Sequence, residues 1–159
     1  MQHALIKLPR NSGFSLIEIL VVIAISGLLS AITLGVFVTF QKSKGLSSDT
    51  ETVVETLRQA RSQSLSSKDS SAYGVHFSTS KITLFTGSTY ATTSSSNLNF
   101  DLVATDAVLS ISLFGGGSNV VFNRVTGETG QYGTVVISSP SASLSKTVTI
   151  YKTGVVDSQ

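Results

Sequence analysis

Residue type and spacing first suggest chemistry at the Gly13–Phe14 peptide bond and the Glu18 carboxylate. Both stand in "RNSGFSLIEILVVIAISGLLSAI", residues 10–32, where one acid interrupts an apolar run. An ionised acid within hydrocarbon costs on the order of 2.5 kcal/mol or more. It must find a cation or take up a proton. No basic residue follows Glu18 within two helical turns. On its other side Gly13 offers an accessible bond, and cutting it would leave a positive amine on Phe14. In one helix that amine would sit about one turn from Glu18, and it could equally reach Glu18 of a neighbouring, staggered helix.

From 14 to 40, Glu18 is the only strongly polar side chain. At about 1.5 Å per residue this run exceeds a hydrocarbon layer of roughly 30 Å, which predicts a transmembrane helix. Ser15, Ser26, Ser30, Thr33 and Thr39 can return their hydroxyls to carbonyls one turn back. A secretory signal does not fit, because its apolar region is about 7 to 15 residues long and its cleavage site lies behind that region. Lys7 and Arg10 favour a cytoplasmic N-terminus, although Lys42 and Lys44 flank the other end. Gly27, Ala31 and Gly35, four apart, form a small-residue stripe where another helix can come close, widened by Ser26 and Ser30.

The stretch "SGFSLIEILVVIAISGLLSAI" resembles the class III signal of type IV prepilins and pseudopilins: Gly, Phe, a hydroxyl residue, two aliphatics and Glu, leading a retained apolar helix. The resemblance implies that prepilin peptidase cuts after Gly13, that Phe14 becomes the N-methylated first residue, and that Glu18 serves filament assembly. It also implies as partners other pilins or pseudopilins, an inner-membrane assembly platform and the lipid bilayer. The chain would cross the inner membrane once with its head outside, then join an extracytoplasmic filament. Gly35 stands where many family members have proline. Glycine weakens a helix by about 1 kcal/mol relative to alanine, so a local melting point is expected without the kink.

These elements must be positioned by the rest of the chain. In "LSSDTETVVETLRQARSQSL", Leu46, Val53, Val54, Leu57 and Ala60 share one face while Glu51, Glu55, Arg58 and Ser62 lie elsewhere, predicting an amphipathic helix packed on a head, with Gly45 as a weak point before it. After Ser66 the texture changes to short alternating runs: "AYGVHF", "KITLF", "LNFDLV", "AVLSISLF", "NVVFN", "GTVVIS", "KTVTIY", and a last one near Val155 and Val156. "TGSTYATTSSSN" reads as a flexible surface loop. The expected fold is α+β: a long N-terminal helix, membrane-spanning in its first half and amphipathic in its second, packed on an antiparallel sheet or pair of sheets. The expected divisions are a leader at 1–13, an assembly helix at 14–40, an amphipathic helix at 41–68 and a β-rich head at 69–159. In its order of features, with Phe122, Gly127, Gly133, Thr134, Gly154 and Val155 at turns and strands, the head is similar to the GspH/FimT group of minor pseudopilins and minor pilins. That likeness implies a structural, non-enzymatic subunit of a type II secretion pseudopilus or type IV pilus. The alternative is a DNA-binding minor pilin of a competence pilus.

Composition narrows the chemistry further. The chain has 159 residues, room for one small head beside the helix. Its formal charge of +2 resides in Lys7 and Arg10, and the remaining basic residues balance the acids. There is no cysteine, so disulfides and thiolate metal sites are excluded. His76, the one histidine after the leader, reads as an exposed strand residue; no G-x-S-x-G elbow accompanies it. The glycines at 115–117 and at 127, 130 and 133 lack the Lys-Ser/Thr ending of a phosphate loop and read as turns. Asp101 and Asp106 do not fit a calcium loop, and neither metal nor cofactor is expected. For DNA the candidate contacts are Arg124, Lys146 and Lys152, three dispersed charges that make no basic stripe.

Overall fold

The computed structural model describes residues 13–103, 107–139 and 143–159, without the side chains at 32–36, 39 and 109. Lys7, Arg10, Asp106 and the packing expected of Gly35 lie outside the described residues. By contact the chain divides into two compact units, 1–38 and 39–159.

In the first unit, helix α1 begins; the element as a whole is Leu16–Leu65. Its start follows from Ser15, whose carbonyl accepts the N–H groups of Glu18 (3.0 Å) and Ile19 (3.2 Å). Every described side chain from 13 to 31 is exposed, Leu16 at 83% and Leu28 at 66%. The Ser30 hydroxyl donates to the Ser26 carbonyl at 2.8 Å, so a polar side chain here is satisfied within its own helix. Among the described residues, no helix is long and apolar enough to cross a membrane.

In the second unit α1 shows the amphipathic stripe in full. Leu46, Val53, Val54, Leu57 and Ala60 are buried, while Glu51, Glu55, Arg58 and Ser62 are exposed. The helix runs unbroken through Gly45, and Leu46 next to it is seated in the core at 2% exposure. The stripe also carries Asp49, Thr50, Thr56 and Ser64, polar but buried. Thr50 and Thr56 donate to the carbonyls of Leu46 and Thr52, each at 2.7 Å, which meets the need of a buried hydroxyl for a partner.

The head is a pair of antiparallel four-stranded sheets, as the alternating runs predict. In the first, β1 (Tyr73–Phe77) pairs with β2 (Lys81–Thr86) and β5 (Asn119–Phe122), and β3 (Leu98–Asp101) lies outside β2. In the second, β6 (Gly133–Ser139) lies between β4 (Ala107–Leu113) and β7 (Leu144–Ile150), and β8 (Val156–Ser158) pairs with β7. Val75, Phe77, Ile82, Val120 and Phe122 from the first sheet join Val135, Ile137, Val148 and Ile150 from the second and the helix stripe in one core. A β-bulge between Val108 and Ser110 bends the edge strand β4.

Candidate functional site

The N-terminal segment takes its geometry from where α1 starts. Glu18 lies in the first turn, where unpaired backbone N–H groups favour a carboxylate. This sharpens the sequence reading: the acid marks the end of the helix. Phe14 precedes the helix, so a Phe14–Glu18 contact one turn apart within a single helix is not the arrangement seen in the uncut chain. Glu18 is exposed and its carboxylate has no hydrogen bond or ion pair among the described residues. Gly27 and Ala31 are likewise open to the surroundings, with nothing within 4 Å of a Cβ built on Gly27. The segment thus places the Gly13–Phe14 bond, the Glu18 carboxylate and the small residues Gly27 and Ala31 on exposed chain.

Residues 8–34 match the family model of the prokaryotic N-terminal methylation motif. The chain carries a class III prepilin signal. It is also similar to the type IV major pilin protein PilA of Myxococcus xanthus (strain DK1622), 41% identical over 61 residues, which is 38% of this chain and 27% of that protein. The chain thus spans about a quarter of the length of that relative. No solved structure matches it. The prepilin signal and this similarity, with the long helix and antiparallel head, support a place in the type IV pilin superfamily.

In the head, the far end of α1 is held by two turns distant in sequence. Arg61 donates from Nε to the Gly127 carbonyl (3.3 Å) and from Nη2 to the Thr153 carbonyl (3.2 Å). Val125 N–H caps the Ser64 carbonyl at 3.0 Å, with Val125 itself at φ 72°, a strained conformation for a β-branched residue. Gly127 and Gly154, both at positive φ, meet where neither has room for a side chain. Sequence reading singled out these glycines as turns but missed Arg61, because no local spacing ties residue 61 to residues 127 and 153.

Asp49 was also missed, although a signal existed: an acid three residues from Leu46 and four from Val53 falls on the apolar face. Its Oδ2 accepts the Val103 N–H at 2.7 Å and so ties α1 to the segment after β3.

His76 is half-buried, which corrects the exposed reading. It pairs across the sheet with Thr83 and Asn119, and Thr83 pairs with Asn99, making one polar row over all four strands. Its Nδ1 lies 2.6 Å from Asn119 Oδ1, so Nδ1 carries the proton and donates. Tyr90 stacks on the imidazole with centroids 4.0 Å apart. The Ser/Thr-rich surface loop thus touches the sheet through Tyr90, and within it Asn97 Nδ2 donates to the Ala91 carbonyl at 2.8 Å. No group of three or more His, Cys, Asp or Glu suited to a metal occurs among the described residues.

The three expected DNA contacts stay apart. Arg124 donates to the Ser70 carbonyl at 2.9 Å, Lys146 sits on β7, and Lys152 lies exposed in the turn after it. No contact among the described residues joins them.

Proposed function

We propose that this chain is a structural subunit, without enzymatic activity, of a type IV pilus or type II secretion pseudopilus. Prepilin peptidase removes residues 1–13 and Phe14 becomes the methylated N-terminus. The observation that carries the reading is the prepilin signal leading directly into a helix whose described side chains from 16 to 31 are all exposed. Such an apolar surface requires lipid or neighbouring helices to cover it.

In this reading residues 14–40 rest in the inner membrane before assembly, with the head outside. Cutting the Gly13–Phe14 bond creates the amine, and Glu18 of one subunit pairs with Phe14 of the next as the helix leaves the bilayer. Two charges that are costly alone become a compensated pair, which rewards one register. Gly27, Ala31 and Gly35 let helices approach in the bundle. The turns at Gly127, Gly133 and Gly154 support a minor subunit of the GspH/FimT kind, with the head presented to other subunits.

Mass spectrometry of the chain from cells containing prepilin peptidase tests the reading. The expected mature N-terminus is N-methyl-Phe14. An intact lead-in from Met1 to Gly13 would count against it.

A further inference from the structure

Beside the core, the exposed flank of α1 and the strand β8 form the two walls of a trough. Cavities of about 320 Å³ and about 400 Å³ meet at Arg58, which lines both. Glu51, Glu55, Lys146 and Ser158 border the first. Arg58, Arg61, Ser62, Leu65, Val155 and Val156 line the second, where no acid is present.

The β8 wall is an unfinished sheet edge. Thr147 and Gln159 exchange both backbone hydrogen bonds at 3.0 Å, and Tyr151 N–H donates to the Val155 carbonyl at 2.9 Å. Residues 155, 157 and 159 therefore face β7, while 156 and 158 turn their N–H and C=O outward. The Ser158 N–H is held by Asp157 Oδ1 at 2.9 Å. The outward N–H and C=O of Val156 have no hydrogen-bond partner among the described residues, although the residue is only 5% exposed. Backbone groups so placed are nearly always paired in finished structures.

The opposite wall supplies charge and apolar surface. Arg58 is exposed and its guanidinium makes no ion pair or hydrogen bond among the described residues. Arg61 meets only neutral carbonyls, so its charge is also uncompensated by an acid. Leu65 and Val155 remain 40% and 48% exposed beside them.

We infer that this trough takes an extended segment of a partner protein as an added strand on β8, with a carboxylate toward Arg58 and Arg61 and an aliphatic side chain toward Leu65 and Val155. Backbone pairing with Val156 provides affinity, and alternate side chains provide selectivity. Residues two apart on such a strand are about 7 Å apart on one face, close to the rise of about 6 Å between Arg61 and Leu65 along α1. The inference rests on the head alone and stands apart from the filament reading.

The experiment uses the full chain in detergent micelles and the capped heptapeptide Thr-Val-Thr-Asp-Thr-Val-Thr. Binding is expected, with amide exchange at Val156 slowed about tenfold or more. Replacing the peptide's aspartate by asparagine, or making Arg58→Gln, should each weaken binding about tenfold. Val155→Asp, at an exposed position, should abolish binding while leaving the thermal midpoint in place. Absence of binding, binding without slower exchange at Val156, or equal affinity for the asparagine peptide or in Arg58→Gln would each overturn the inference.

Discussion

A side chain on Gly154 would overlap the carbonyl oxygen of Gly127, the same oxygen that accepts a hydrogen bond from Arg61. Two turns and the helix therefore meet at a point that admits only glycine. Gly154→Ala combines that overlap with φ +77° and should destabilise the head by about 2–4 kcal/mol. Gly117→Ala, at φ +83° in open space, isolates the conformational part and should cost about 1 kcal/mol. Urea midpoints at constant m-value measure both, and equal losses would show that the close approach contributes nothing.

Asp49 holds the Val103 N–H from inside the core face of α1. Asp49→Ala leaves that donor without its acceptor and should cost about 1–3 kcal/mol, whereas Asp49→Asn keeps an oxygen in place and should cost less. Hydrogen exchange at Val103 distinguishes a local from a global effect: the alanine variant should speed it more than the change in global stability requires.

Burial and then the hydrogen bond to Asp69 (2.7 Å) raise the Tyr73 phenol above its ordinary pKa. The folded state holds this proton more tightly than the unfolded chain. The resulting stability is fully present below the unfolded value of about 10 and is lost as pH rises through the higher folded value. Tyr73→Phe should be less stable than wild type by about 1 kcal/mol at pH 7. That gap should close in alkaline unfolding titrations, and a gap independent of pH would refute the linkage.

Glu18→Gln removes the charge and keeps the shape at the first turn of α1. Processing after Gly13 should continue, since the bond lies outside the helix. Incorporation into filaments should fall about tenfold or more with loss of the proposed charge pair with Phe14. Sheared filament fractions compared with total membrane protein give the ratio, and wild-type incorporation would remove Glu18 from the assembly step.

The elements themselves were legible because their causes are local. Leu46, Val53, Leu57 and Ala60 announce a buried helix face by spacing alone, and Tyr73, Val75 and Phe77 announce a strand by alternation. His76 shows the limit of that reading. Alternation placed it opposite Val75 and Phe77, but its burial depends on Tyr90, fourteen positions along the chain, folding back over the sheet.

The sequence by itself determined the prepilin signal, the long helix with its amphipathic second half, and eight strands in order, because each is written within a few consecutive residues. The tertiary structure alone decided that Arg61 clasps turns 66 and 92 residues away, and that Asp49 reaches across 54 residues to Val103. It also decided that β8 ends the second sheet with the outward N–H and C=O of Val156 without a partner among the described residues. Hydrogen bonds and close approaches of this kind depend on where the chain returns in space, and no periodicity in hydropathy carries that information.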